Sequence, residues 1–135
     1  MLKYELRVAK LLKCKIIPEV SVKYLQTYRK YLINQLSPGV ALKGREDFLW
    51  EEYYLIGPGE KSEYEFLKQS NPSYKDDFIL LKILSKTTEK DLIALVKRIS
   101  DDKKFQIGLS WLTTRSRRDK DFQLLDDFAS WVVNC

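Results

Sequence analysis

The chain has 135 residues, 44% hydrophobic and 13% aromatic, which suffices for one globular core and is too apolar for a disordered segment. It carries a formal net charge of +5, two cysteines (Cys14 and Cys135) and no histidine. That composition excludes Ser-His-Asp and Cys-His mechanisms, removes the commonest general base near neutral pH, and leaves none of the usual zinc-ligand spacings. No apolar run reaches the length of about 18 residues that a membrane-spanning helix needs. The first residues alternate charge with hydrophobe too soon for a secretory signal. With two isolated cysteines, this predicts free thiols and a cytoplasmic protein.

Residues 2–14 read as a helix, with a strand near Lys15 to Ile17 as a further element, and Pro18 interrupts. Lys3, Arg7 and Lys10 fall at i, i+4 and i+7 on one helical face, and Lys13 extends the row. Ser21 is placed to cap a second helix running to about Leu36, with Val22, Leu25, Tyr28, Leu32 and Leu36 at helical spacing. Ser37-Pro38-Gly39 stops it. Val40, Leu42 and Phe48 to Trp50 predict two strands, or one bent strand joined near Gly44. Tyr53 to Ile56 would continue it to the turn Gly57-Pro58-Gly59. On such a strand Trp50, Glu52 and Tyr54 share one face, and Glu51 and Tyr53 the other. Glu60 to Gln69 reads as a short helix with Tyr64 and Leu67 inward, and Asn71-Pro72-Ser73 as a loop.

Asp77 to Leu84 predicts a buried strand, Thr87 to Lys90 a turn, and Leu92 to Ile99 a second strand. Asp101-Asp102-Lys103 forms a hairpin turn into a third strand at Phe105. There Phe105, Ile107 and Leu109 alternate, whereas Leu109 and Leu112 are one helical turn apart. Arg115 to Arg118 is a basic loop. Asp119 or Asp121 then caps a final helix with an apolar stripe of Leu124, Leu125, Phe128, Trp131 and Val132. This order predicts an α+β fold: a small antiparallel β-barrel or curled sheet with N-terminal helices and a C-terminal closing helix. It is read as a single domain over 1–135, with a basic helical segment at 1–37 and the barrel with its closing helix at 40–135.

Charge is unevenly spread. Residues 1–45 hold ten Lys or Arg and two acids, while residues 46–135 hold fourteen bases and seventeen acids. One reading is a basic helical segment packed on a mildly acidic body. The other is a basic end that meets phosphate or an acidic partner. The residues that would make such a contact are Lys3, Arg7, Lys10 and Lys13, with Arg115, Arg117 and Arg118 of the densest basic run. A helix N-terminus follows that run, which suits an anion. Trp50, Tyr53 and Tyr54 would form an aromatic partner surface.

Three blocks carry a likeness to a known family. Tyr31 to Pro38 reads Y-L-I-N-Q-L-S-P, with Ala41 following. Phe105 to Leu112 reads F-Q-I-G-L-S-W-L, with Gly108 where proline is usual. Asp127 to Trp131 reads D-F-A-S-W, with Phe128 in place of a tryptophan. Together they cover under a quarter of the chain, and they resemble the cyanobacterial calcium-binding protein family. The resemblance implies an SH3-like barrel with a preceding helix, and a calcium role. Calcium takes six to eight oxygens, several from carboxylates. The paired acids offered for it are Asp101-Asp102 and Asp126-Asp127, with Glu46-Asp47, Glu51-Glu52 and Asp76-Asp77 as further pairs. Adjacent acids on a strand point to opposite faces, so one pair supplies one ligand in a given direction.

No motif names a reaction. The expectation is a small non-catalytic binding domain that contacts a protein or an acidic ligand. The alternatives are calcium binding and nucleic-acid binding through the basic N-terminal segment.

Overall fold

The structure, a computed structural model, describes residues 1–135. It is α+β, with helices α1 (Lys3–Leu11), α2 (Val22–Gln35), α3 (Leu49–Leu55), α4 (Lys61–Leu67) and α5 (Phe122–Asn134). The strands are β1 (Ala41–Gly44), β2 (Phe78–Thr87), β3 (Leu92–Arg98), β4 (Lys104–Gly108) and β5 (Leu112–Thr114), with a single 3-10 turn at Leu109–Trp111. No helix is long and apolar enough to cross a membrane.

All strand pairings are antiparallel, in the order β4-β3-β2-β1-β5. The edges β4 and β5 do not pair, so the sheet is not closed. It must nevertheless curl. A flat sheet of five strands would hold its edges about 19 Å apart. Here the two edges are successive in the chain, joined by the three-residue 3-10 turn, which spans roughly 6–8 Å. The change of period between Leu109 and Leu112 is this turn.

β2 is irregular against β3, with register shifts between Leu80 and Lys82 and again between Ile83 and Thr87. Backbone carbonyls released from a ladder need other donors. α2 supplies them. Arg29 donates to the Ile83 and Leu84 carbonyls at 2.8–3.2 Å, and Gln26 to the Ser85 carbonyl at 2.7 Å. Ser21 caps α2 as its sequence predicts, accepting from the Tyr24 N–H at 3.3 Å.

One apolar core unites the parts. Val8 and Leu12, Leu25, Tyr28 and Leu32, the inward residues of all five strands, and Leu125, Phe128 and Trp131 form a continuous cluster. Tyr28 packs edge-on to Phe128, ring centroids 5.0 Å apart, and lies 5.3 Å from Trp131. Trp131 is fully buried, and its indole N–H donates to the Pro18 carbonyl at 2.8 Å. That bond fixes the α1–α2 connection to α5. Lys15 to Ile17, expected as a strand, lies in this connection outside any helix or strand.

Two local expectations are corrected. Leu49–Leu55 is helical, not extended. The helix lets Glu51 turn back so that its Oε1 accepts from the Phe48 N–H at 3.2 Å, half of a capping box. It also stacks Trp50 against Tyr54 at i+4, with centroids 6.2 Å apart, a pairing that helical geometry provides. Asp121 does occupy the N-cap position of α5, but its carboxylate makes no cap bond. It accepts instead from the Ser37 N–H at 3.3 Å and joins the end of α2 to the start of α5.

Candidate functional site

A cleft of about 850 Å³ opens on the outer side of β1 and β5. Alternation along both strands builds it. On β1, Leu42 and Gly44 face the core and Lys43 faces out. Lys43 pairs directly with Thr113 of β5. Arg45 and Arg115 continue the same faces, and Arg117, Lys90 and the outer edge of α5 complete the walls. Arg45 is tied to Asp126 at 2.9 Å and Arg115 to Asp77 at 3.3 Å. Lys43, Lys90 and Arg117 carry no ion pair. The Thr113 hydroxyl is buried with no hydrogen-bond partner, and it is the one buried side-chain polar atom in that condition. Such a group costs about 1–3 kcal/mol of unrecovered desolvation.

Asp91, at the end of the β2–β3 turn, lines the cleft. Its carboxylate accepts from the Ser110 hydroxyl at 2.6 Å, the Ser110 N–H at 3.2 Å and the Leu92 N–H at 2.8 Å. Burial raises its pKa above the ordinary value, and those three donors act in the other direction. Gly108 makes room for this arrangement. A Cβ there would stand 2.6 Å from the Oδ2 of Asp91, whose carboxylate three donors hold in place.

α5 divides the basic residues into two sets. Its far side borders a second groove of about 800 Å³, where Arg7, Lys10, Lys13 and Lys120 meet Asp121 and Asp127. Arg7 makes a two-bond pair with Asp127 at 2.7 and 2.9 Å, which holds its guanidinium pKa above the usual range. Lys3 is exposed on α1 outside both, and Arg118 is exposed beside Arg117. The predicted anion-contact residues therefore split: Arg115 and Arg117 in the first cleft, Arg7, Lys10 and Lys13 in the second. Compared with known protein families, curated proteins and solved structures, the chain matches none.

The acids offered for calcium are spread across the fold. Asp101 pairs with Arg98 at 2.8 Å, and the arginine holds the carboxyl down at about 2. Asp102 sits beside it in the hairpin at φ 59°, with Lys97 3.8 Å away. Asp126 and Asp127, adjacent on α5 and about 100° apart around it, take different partners, Arg45 and Arg7 respectively. No group of three or more acids or cysteines gathers where a metal ion could be held. Cys14 and Cys135 are both free thiols.

Of the predicted aromatic surface, only Tyr53 is exposed. Trp50 and Tyr54 turn toward Tyr64, with centroids 5.6 and 5.7 Å from its ring. Beneath them Glu51 is fully buried and accepts from the Tyr64 and Ser73 hydroxyls at 2.5 and 2.8 Å, and from the Tyr74 N–H at 2.8 Å. Burial, and then this bond, push the Tyr64 pKa up to about 12.

Lys43, Lys90, Asp91, Ser110 and Thr113 were not singled out from sequence. The basic run from Arg115 to Arg118, of which Arg115 and Arg117 line the cleft, was legible there as a loop. The pairing that brings Lys43 opposite Thr113 was not, because it joins segments about seventy residues apart.

Proposed function

We propose that this chain is a small non-catalytic binding domain that holds an acidic group of its partner in the β1–β5 cleft. The observation that carries the reading is the unsatisfied Thr113 hydroxyl set opposite Lys43, in a cleft whose cations outnumber its acids and where Lys43, Lys90 and Arg117 make no ion pair. An oxyanion would meet cations there, and a small shift of the side chains over Thr113 would bring its hydroxyl to the anion as a donor. The strand order, with its short turn between the two edges, supports an SH3-like curled barrel as the scaffold. Free thiols at both cysteines fit a reducing, cytoplasmic setting.

Calcium binding has less support, since three of its four candidate carboxylates are each engaged by an arginine. Nucleic-acid binding has less support because α5 and its acids interrupt the basic surface, whereas a phosphate backbone favours a continuous stripe.

The test is an NMR titration of the full chain with inorganic phosphate, citrate and a glutamate-rich peptide, each at low salt. Shifts at Lys43, Lys90 and Thr113 that weaken as salt rises and vanish in Lys43→Glu are expected. Shifts at Asp101 and Asp126 with calcium, and none at the cleft with any anion, would replace this reading with the metal one.

A further inference from the structure

The connection between β1 and β2, residues 45–77, contributes a single buried side chain, Phe48, to the main core, with Trp50 and Tyr74 packed against it half-buried. It is nonetheless built to hold a shape. Glu51 receives four hydrogen bonds within it, from Phe48, Tyr64, Ser73 and Tyr74. The Trp50 indole donates to the Pro72 carbonyl at 2.6 Å, and the Tyr54 hydroxyl to Glu63 at 2.8 Å. Arg98, only 4% exposed, reaches from β3 to the carbonyls of Lys68, Gln69 and Asn71 just after α4, and to Asp76. All of this order presents an apolar row outward. Leu49, Tyr53 and Ile56 lie at i, i+4 and i+7 and are 68%, 55% and 80% exposed. Phe66 of α4 is 68% exposed as well.

The charge around that row specifies its occupant. Between Glu46 and Leu67 there are seven acids, of which only Glu51 is fully buried, and one base, Lys61. The nearest cations on either side, Arg45 and Lys68, are engaged by Asp126 and Glu65. A nucleic acid or an anionic bilayer would be repelled, and a small cation has no use for exposed leucine, isoleucine and tyrosine. We propose that the outer face of α3 is a docking surface for a protein whose contacting surface is basic and apolar. Tyr53 is its central anchor, with Leu49 and Ile56 beside it and the acids as a steering rim. Because the excursion is ordered beforehand, binding requires little further ordering of it. The apolar row lies outside the β1–β5 cleft, which shares only Glu46 with the acidic rim, and it stands without the reading given to that cleft.

The test uses the full chain, amide-resolved NMR, and two 18-residue amphipathic helical peptides with identical leucines. One has lysine on its polar face and the other glutamate. The lysine peptide is expected to shift amides of residues 49–67 saturably, with affinity falling about tenfold in Ile56→Ser and further in Glu52→Lys with Glu60→Lys. Lys43→Glu should leave this binding unchanged. Ile56 is among the most exposed apolar residues, so its variant should fold, as an unchanged melting temperature would show. Equal binding of the glutamate peptide, shifts located elsewhere, unchanged affinity in Ile56→Ser, or no shifts at millimolar peptide would each overturn the proposal.

Discussion

Single residues here do work that their side-chain type does not advertise. Asp101, read as a candidate metal ligand, sits on the Arg98 guanidinium, and its pKa falls from 3.8 to about 2. A carboxylate whose folded pKa is depressed stabilises the fold above its unfolded pKa and loses that contribution as pH falls through the folded one. Acid unfolding should therefore draw on Asp101 between about pH 4 and pH 2. Asp101→Asn should flatten the stability–pH curve in that window and leave its slope near neutrality unchanged, as urea titrations at stepped pH would measure. Asp91 has the opposite sign. Its folded pKa is raised, so ionising it opposes folding as pH climbs above 3.8. Gly108 matters for the same group. Gly108→Ala would drive a methyl into the anchored carboxylate, and overpacking of this kind costs about 1–3 kcal/mol. A lowered urea midpoint with unchanged slope, and shifted Ser110 and Leu92 amides, are expected. Full stability in that variant would mean that Asp91 is not held as described.

At the level of elements, period was a good guide where one face of an element is buried. The apolar spacing of α2 and α5, and the alternation of β3 and β4, all follow from facing one core. α3 escaped this logic because its decisive burial is polar. The sequence L-W-E-E-Y-Y-L mixes three aromatics that favour strands with leucines and glutamates that favour helices, and no pattern rule expects its inward residue to be glutamate. The helix is settled by partners at Tyr64, Ser73 and Tyr74, up to 23 positions away. The carboxylate should thus matter more than its neighbours on the same helix. Glu51→Leu leaves two hydroxyls and two backbone donors without an acceptor, and should destabilise by about 2–5 kcal/mol. Leu49→Ala, on the exposed face, should stay within about 0.5 kcal/mol of the parent. Equal effects from the two would place the stability of α3 in intrinsic propensity instead of in this network.

The whole molecule joins a basic body to an acidic excursion, with one apolar cluster that draws on α1, α2, the sheet and α5 and takes Phe48 as its only buried member from the excursion. The cleft follows from the same curl that the sheet needs to bring β4 and β5 within reach of a three-residue turn. A core shared this widely should unfold as a unit, and the excursion should be free to lose order first. Trp131 tests both halves of that statement. It is fully buried, it lies against Tyr28 and Phe128, and its N–H anchors the Pro18 carbonyl. Trp131→Ala should cost about 3–5 kcal/mol and lower the melting temperature by roughly 10–20 °C for a domain of this size. The transition should stay single, and protection against hydrogen exchange should fall together in α2, β2, β3 and α5. In the parent, amides of residues 49–67 should exchange faster than those of the sheet, and Trp131→Ala should narrow the gap between the two classes. Helices and sheet that unfold in separate thermal steps in the parent, or loss of protection confined to α5 in the variant, would contradict a single shared core.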